Sequence, residues 1–236
     1  MRNLLVRALY PLINLFKLFL YYGLPERVVR PSSIDVLERR ALESSARYIE
    51  EHGASAMIFK SRSDFWSFSM NQVSINGLTV EFGVSWGKSI KHFASIIPKD
   101  KKIYGFDSFQ GLIENFYGTA FTKGAFSTEG VIPKLPNNVV LIHGWFADTL
   151  PTFLKEHSSP FNFIHMDADT YESTKQVLDL IGSRIIAGTI IVFDEYQGNP
   201  NWINCEYKAW QEFVSLHKIN YQYLAFSPQS ATLIVK

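Results

Sequence analysis

The stretch VEFGVSWGKSI, residues 80–90, joins an apolar run to a glycine-containing turn. Its residues 83–89 (GVSWGKS) share residue types with a nucleotide-triphosphate loop, which places four residues between its glycines so that successive backbone N–H groups wrap a phosphate. Here only three residues separate Gly83 from Gly87. Glu81 would also place a negative charge beside any phosphate. The turn therefore favours a cationic ligand.

From residue 78 onward, short apolar runs alternate with amphipathic segments, which is typical of a parallel sheet covered by helices. The last two predicted strands are joined by a short turn around Pro228, too short for a parallel crossover, so the final strand should run antiparallel. The predicted fold class is α/β, a Rossmann-like doubly wound seven-stranded sheet with N-terminal helices. Strands are predicted at 78–82, 102–106, 139–144, 161–166, 189–193, 221–226 and 229–235, and helices at 33–52, 88–97, 147–157, 171–185 and 205–217.

Composition indicates one α/β domain over residues 33–236, preceded by a helical segment over residues 1–32. The chain has 236 residues, 47% of them hydrophobic, which is ample material for a core. A net charge of +1 without a clustered basic excess argues against a nucleic-acid partner. The single cysteine, Cys205, excludes an internal disulfide and fits a reducing, cytoplasmic compartment.

Residues 4–24 are almost wholly apolar and could be mistaken for a signal peptide or a membrane span. Arg7 and Lys17 interrupt this segment, Pro11 lies inside it, and no small-residue cleavage site follows Leu24. The pattern favours a helix packed on the domain or on a second subunit of a homodimer. The alternative is a helix lying in a membrane surface, which would make the protein peripheral to the inner membrane face.

The first two strand ends predict a nucleoside site, because ligands of open α/β sheets bind at the carboxyl ends of the strands. The first strand ends with Glu81 and Phe82, and Gly83 and Gly87 follow it. Asp107 stands at the end of the second strand, where an acid can hold ribose hydroxyls. The first turn lacks the G-x-G-x-x-G of nicotinamide-dinucleotide domains. A cationic ligand with a ribose suggests S-adenosylmethionine, although E-x-G-x-x-x-G alone fits ordinary turn chemistry equally well.

Four carboxylates follow the fourth and fifth predicted strands. Asp167 and Asp169 come after 161–166, and Asp194 and Glu195 come after 189–193. Left unpaired, they would repel one another and raise each other's pKa values. A divalent cation would resolve this conflict, and an all-oxygen set favours Mg²⁺ or another hard ion. For Asp169 the alternative is a helix N-cap, with Glu172 completing a capping-box-like pair.

Five blocks in this order resemble a known family: LTVEFGVSWGKSI, YGFDSFQGL, HGWFADTLP, HMDADTYES and FDEYQGNPNW. They are similar to the metal-dependent sugar O-methyltransferases typified by macrocin O-methyltransferase, from about residue 75 to the C-terminus. The resemblance implies a class I methyltransferase fold, S-adenosylmethionine as methyl donor, a magnesium ion that holds the acceptor hydroxyls, and a dimer. It also implies that the long insertion around residues 123–127 covers the active site.

Carried over by position, the resemblance assigns a role to each candidate residue. Asp169 would be the general base. Asp167, Asp194 and Glu195 would ligate the metal, although family members often have two consecutive aspartates where this chain has Asp194-Glu195. The cofactor contacts would be Glu81, Gly83, Gly87, Asp107, Ser108 and Phe146.

These expectations define a small-molecule O-methyltransferase. A vicinal diol would chelate a metal best, which favours a hydroxyl of a sugar, glycoside or polyol as the methyl acceptor. Two alternatives stay open, a methyltransferase of a catechol-like phenol and a non-catalytic nucleotide-binding scaffold.

Overall fold

The computed structural model describes residues 32–236. The chain divides after residue 40 into two units, and the second, Ala41–Lys236, is compact. The predicted segment 1–32, with its apolar stretch 4–24, lies outside the described residues except for residue 32, so its boundary, membrane contact and subunit contact stay predictions. No helix within residues 32–236 combines the length and the apolar character needed to cross a membrane.

Helices and strands alternate along most of the described chain. Within residues 32–236, eight strands form one sheet, and six α-helices flank or precede them. In chain order the elements are α1 Ser33–His52, β1 Met57–Ile58, α2 Arg62–Met70, β2 Leu78–Phe82, α3 Lys88–Ile96, β3 Ile103–Asp107, β4 Val139–His143, α4 Phe146–Glu156, β5 Phe161–Met166, α5 Tyr171–Ile181, β6 Ile190–Phe193, α6 Glu206–His217, β7 Tyr221–Phe226 and β8 Ala231–Val235.

The strand order across the sheet is β1-β7-β8-β6-β5-β2-β3-β4. All neighbouring pairs are parallel except those of β8, which runs antiparallel to both β6 and β7. The predicted mostly parallel α/β sheet with an antiparallel last strand is confirmed. The predicted strand number of seven is wrong for the described residues, because Met57 and Ile58 add an eighth strand by pairing with β7. Two residues are too few to show a strand period.

The core lies on both faces of the sheet, as a doubly wound fold requires. Successive side chains of a strand point to opposite faces. On β5, Phe163 packs in one buried cluster with Phe93 of α3, and Ile164 packs in the other with Val177 of α5. Burial on both faces explains why these strands appear in the sequence as continuous apolar runs rather than alternating patterns.

Four adjacent strands, β6, β5, β2 and β3, bring their carboxyl ends to one edge of the sheet. Phe82 at the end of β2 is in register with Phe106 of β3 and with Met166 of β5, and Met166 is in register with Phe193 of β6. The residues that follow these positions therefore share one edge, which places the predicted site residues of four separate sequence blocks together.

Candidate active site

A cavity of about 290 Å³ opens at this edge of the sheet. It brings together residues from the ends of β2, β3, β5 and β6, from the start of α4 and from the long connection between β3 and β4, which contributes Phe126. The lining includes eight of the residues predicted for the site: Gly83, Asp107, Ser108, Phe146, Asp167, Asp169, Asp194 and Glu195.

Gly83 follows β2 and packs against the backbone of Asp167, which follows β5. Its φ of 91° is a conformation that residues with a side chain rarely adopt. A Cβ atom at this position would lie 1.9 Å from the carbonyl oxygen of Asp167. Glycine is therefore required here, because the backbone of Asp167 occupies the place that a side chain would take.

Glu81 and Gly87 do not line the cavity, so their contact with a cofactor stays a prediction. The fully buried Glu81 side chain accepts a hydrogen bond from Ser89 Oγ at 3.1 Å and pairs with His165 Nδ1 at 3.0 Å. Burial raises the pKa of Glu81, and the hydrogen bond with His165 opposes that shift. Gly87 precedes α3 with φ 75°, a left-handed conformation.

Asp107 holds two turns of the site in place. Its Oδ2 accepts hydrogen bonds from the backbone N–H groups of Val84 and Ser85, both at 2.7 Å, and its Oδ1 accepts one from Phe109 at 2.6 Å. The carboxylate therefore fixes the turn after β2 to the turn after β3. This role was not predicted from the sequence, and the predicted contact of Asp107 with a ribose remains a prediction.

Three residues at this edge have a positive φ without being glycine: Ser85 (46°), Phe109 (58°) and Asp169 (60°). Each such conformation costs about 1–2 kcal/mol relative to the usual backbone regions. They follow the ends of β2, β3 and β5. Backbone strain of this kind concentrates at functional sites, where the surrounding structure fixes a side chain in one direction.

The carboxylates around the cavity are difficult to ionise. Burial, reinforced by the charge of Asp194, raises the pKa of Asp169 to about 7 and that of Glu195 to about 8. The same two causes raise the pKa of Asp167 well above its usual range. These shifts agree with the predicted repulsion within a crowded acidic site.

Asp194 is the exception, because cations surround it. Its Oδ2 forms an ion pair with the guanidinium of Arg62, and its Oδ1 lies 3.4 Å from Ser230 Oγ and 3.8 Å from His165 Nε2. Burial opposes ionisation of Asp194, but His165 and Arg62 hold its pKa below the usual value. Burial likewise opposes the charged form of His165, yet Asp194 and Glu81 raise its pKa to about 9.

The N-cap of α5 is Thr170, whose side chain accepts a hydrogen bond from the backbone N–H of Ser173. The alternative in which Asp169 caps this helix is therefore wrong. Asp169 instead lines the cavity, in line with the predicted functional role.

The donor chemistry of the site fits a hard divalent cation, since Asp167, Asp194 and Glu195 offer only carboxylate oxygens. Within residues 32–236, however, no three His, Cys, Asp or Glu side chains form a ready-made metal site. Asp194 is engaged by Arg62, and Glu195 Oε2 accepts a hydrogen bond from Gln229 at 3.2 Å. The residue types fit the metal, and side chains would have to rearrange to hold it.

Comparison with known proteins identifies the domain around this cavity. Residues 80–196 match a protein-family model described as a methyltransferase domain. This part of the chain is similar to a methyltransferase domain. The match runs from β2 to the turn after β6 and so includes every predicted site residue. It confirms the predicted methyltransferase activity and supports S-adenosylmethionine as the cofactor.

Solved structures place the fold among methyltransferases. A crystal structure of CalS11, a calicheamicin methyltransferase, is 23% identical and covers 86% of this chain and 93% of its own, with a TM-score of 0.61. An apo structure of CalS11, described as a TDP-rhamnose 3'-O-methyltransferase, is 26% identical over 73% of this chain and 78% of its own, with a TM-score of 0.54. The predicted class I methyltransferase fold is confirmed.

A third solved structure, the O-methyltransferase NovP, is 20% identical over 73% of this chain and 78% of its own, again with a TM-score of 0.54. No curated protein matches the chain.

Arg62 is the site residue that the sequence analysis missed. It is the first residue of α2, a helix that was not predicted, and it lies 132 positions from its partner Asp194. The only local signal is Ser61, which caps α2 by accepting a hydrogen bond from the backbone N–H of Asp64. That signal marks a helix start and says nothing about a site.

Proposed function

We propose that the chain is an S-adenosylmethionine-dependent and Mg²⁺-dependent O-methyltransferase, related to the macrocin type, that acts on a hydroxyl of a sugar, glycoside or polyol. The observation that carries this proposal is the position of Asp169 in the cavity next to Gly83 and the other strand-end carboxylates. A methyl acceptor needs a base at such a place, and the methyltransferase domain supplies the reaction class.

Asp169 is suited to remove the proton from the acceptor hydroxyl. A general base works best when its pKa lies near the working pH, and burial with the charge of Asp194 raises the pKa of Asp169 to about 7. The backbone of Asp169, with φ 60°, fixes the direction of the side chain. Asp169 would take the proton of the acceptor hydroxyl while the oxygen displaces the methyl group from the donor sulfur, which would leave as S-adenosylhomocysteine.

The donor site is supported by a close approach of backbone and by a fixed acid. Gly83 lines the cavity, and its lack of a side chain lets its backbone pack directly against that of Asp167. Asp107 and Ser108 lie beside it at the end of β3, and Phe146 contributes an aromatic ring at the start of α4. S-adenosylmethionine supplies an electrophilic methyl group when it is bound, and these residues would bind and orient it.

Asp167, Asp194 and Glu195 would hold the Mg²⁺ ion. When bound, the ion would supply Lewis acidity that lowers the pKa of the acceptor hydroxyl. Glu195 has a longer side chain than the second aspartate of many family members. Burial and the charges of Asp194 and Asp169 raise the pKa of Glu195 to about 8, and a bound cation would favour its charged form.

The acceptor class is inferred from two sources. CalS11 is described as acting on TDP-rhamnose and NovP as an O-methyltransferase. The carboxylate-rich cavity wall is chemically suited to polyhydroxylated molecules, through the metal and through direct hydrogen bonds. A homodimer, a cytoplasmic location and contact of residues 4–24 with a membrane surface remain part of this proposal as predictions from the sequence.

The first experiment is a calorimetric titration of the full chain with S-adenosylhomocysteine, with and without Mg²⁺, with NADH and ATP as controls. We expect micromolar binding of S-adenosylhomocysteine and no binding of NADH or ATP. The absence of binding in both conditions would leave the scaffold alternative as the better account.

The second experiment replaces the base. Asp169→Asn should abolish methyl transfer to a screened panel of sugar and phenol acceptors while S-adenosylhomocysteine affinity stays nearly unchanged, because Asn cannot take a proton. Asp100→Asn, an exposed residue that precedes β3 and does not line the cavity, is the matched control and should keep full activity. Substantial turnover by Asp169→Asn would remove Asp169 from the mechanism.

A further inference from the structure

Among residues 32–236, Arg62 alone brings a formal positive charge to the lining of the cavity. The same lining contains five carboxylates: Asp107, Asp167, Asp169, Asp194 and Glu195. Arg62 forms an ion pair with only one of them, Asp194, which is also the proposed metal ligand at the end of β6. The cation position that the acidic residues predict is therefore held in part by a side chain of the protein itself.

The two partners of this ion pair differ in their freedom to move. The Asp194 side chain is 4% exposed and also lies close to Ser230 and His165, whereas the Arg62 side chain is 41% exposed. The guanidinium carbon of Arg62 lies 5.4 Å from the ring centroid of Trp66, one helical turn further along α2. An arginine near an aromatic face retains a favourable cation–π contact when it leaves its carboxylate. Arg62 can therefore withdraw, and Asp194 cannot.

A guanidinium and a divalent cation cannot both contact the same carboxylate oxygen, because two positive charges at that separation repel strongly in a partly buried site. We propose that Arg62 and the divalent cation are alternative partners of Asp194, so that metal binding requires release of the Arg62 guanidinium. This inference rests on the proposed function, since it takes Asp194 as a metal ligand.

The exchange gives Arg62 two effects on the site. Without metal, Arg62 offsets part of the negative charge and keeps Asp194 paired. With metal, the contact between Arg62 and Asp194 is a competing state, and the apparent metal affinity equals the intrinsic affinity multiplied by the fraction of molecules in which Arg62 has released the carboxylate. If the contact is formed about 90% of the time, its removal should tighten metal binding about tenfold.

The test measures Mn²⁺ binding directly, by electron paramagnetic resonance of free Mn²⁺ in the presence of saturating S-adenosylhomocysteine. The variants are Arg62→Gln and Lys60→Gln, which each remove one positive charge from the same segment. Of these two residues only Arg62 forms an ion pair with Asp194, so Arg62→Gln should bind Mn²⁺ about tenfold more tightly than the unsubstituted chain, and Lys60→Gln should differ little. Equal affinities in all three proteins would overturn the exchange.

A second readout separates this proposal from the proposed function. Arg62→Gln should melt at a lower temperature than the unsubstituted chain without metal, because Asp194 loses its partner, and the difference should vanish or reverse with saturating Mn²⁺. Unequal melting that persists unchanged with Mn²⁺ would overturn the exchange. If Arg62→Gln does not fold, Arg62→Lys keeps the charge but not the planar fork and should show an intermediate Mn²⁺ affinity.

Failure of the metal site itself would look different. If no variant binds Mn²⁺ while all bind S-adenosylhomocysteine, both the metal dependence and the exchange are overturned, and the methyltransferase assignment stands. If S-adenosylhomocysteine does not bind either, the proposed function fails as well.

Discussion

Replacing Gly83 with alanine should damage both the stability of the protein and its cofactor site. The new Cβ atom would lie 1.9 Å from the Asp167 carbonyl oxygen, and a tolerable separation is at least 3.0 Å. The ends of β2 and β5 must therefore move apart, although the backbone N–H of Asp167 donates to the carbonyl of Phe82 at 2.8 Å and ties these ends together.

The expected magnitude follows from two contributions. An alanine with φ near 91° costs about 1 kcal/mol because a side chain is disfavoured in this region. Forcing packed groups apart adds about 1–3 kcal/mol. We expect the free energy of unfolding to fall by about 3 kcal/mol, which most domains survive in the folded state.

The matched control is Gly130→Ala. Gly130 has a similar φ of 78°, but a Cβ atom there would meet no atom within 4 Å. It should cost only the backbone contribution, about 1 kcal/mol. Urea unfolding of both variants, with calorimetric titration of S-adenosylhomocysteine, gives the comparison. The reasoning is refuted if the two variants unfold with the same free energy and bind S-adenosylhomocysteine equally well.

Three further predictions concern the charged groups of the site. Asp107→Asn should lower the free energy of unfolding by about 1–3 kcal/mol and weaken S-adenosylhomocysteine binding. One amide oxygen cannot accept the three backbone hydrogen bonds of the carboxylate. Unchanged urea unfolding would contradict the role of Asp107 in holding the two turns together. His165→Leu should destabilise the protein by about 3–5 kcal/mol in the same assay, because it leaves the buried Asp194 without one of its cations. In the metal-free protein, the pKa of Asp169 is raised to about 7 and that of Glu195 to about 8. The folded state therefore binds more protons than the unfolded state. The contribution of these two carboxyl groups to stability falls as the pH rises from about 4 to 8. The melting temperature should follow that trend, and the increase in melting temperature on addition of Mg²⁺ should grow over the same pH range. A Mg²⁺-induced increase that is independent of pH would contradict metal binding at these carboxylates.

The sheet was predictable from the sequence because its long strands carry their own signal. β2, β3, β5 and β6 are apolar runs that end abruptly in a polar or glycine-containing turn, and parallel strands put such turns at one edge. β1 and α2 were not predicted. β1 has two residues, and α2 spans nine residues (RSDFWSFSM) that alternate polar and aromatic side chains without a clear helical stripe.

The site was predictable in its residue types and less so in its connections. The acidic residues after β5 and β6 could be assigned from their position, and the structure brings them into one cavity. Two connections depend on folding across a long sequence separation, the pairing of Arg62 with Asp194 and the contact of His165 with Glu81, 84 positions apart. A sequence contains no local pattern for such pairs, since only the completed sheet places their side chains together.

The three strained residues at the carboxyl edge set a limit on engineering this protein. A selection for heat resistance alone would favour glycine at Ser85 and Asp169, because glycine accepts a positive φ and each replacement relieves about 1 kcal/mol. Phe109 is buried in the core, so its replacement would lose more packing energy than the strain it relieves. The replacement of Asp169 would also remove the proposed base. Libraries screened only for survival at high temperature should therefore accumulate inactive members at position 169, and useful thermostable variants are better sought at positions away from this edge.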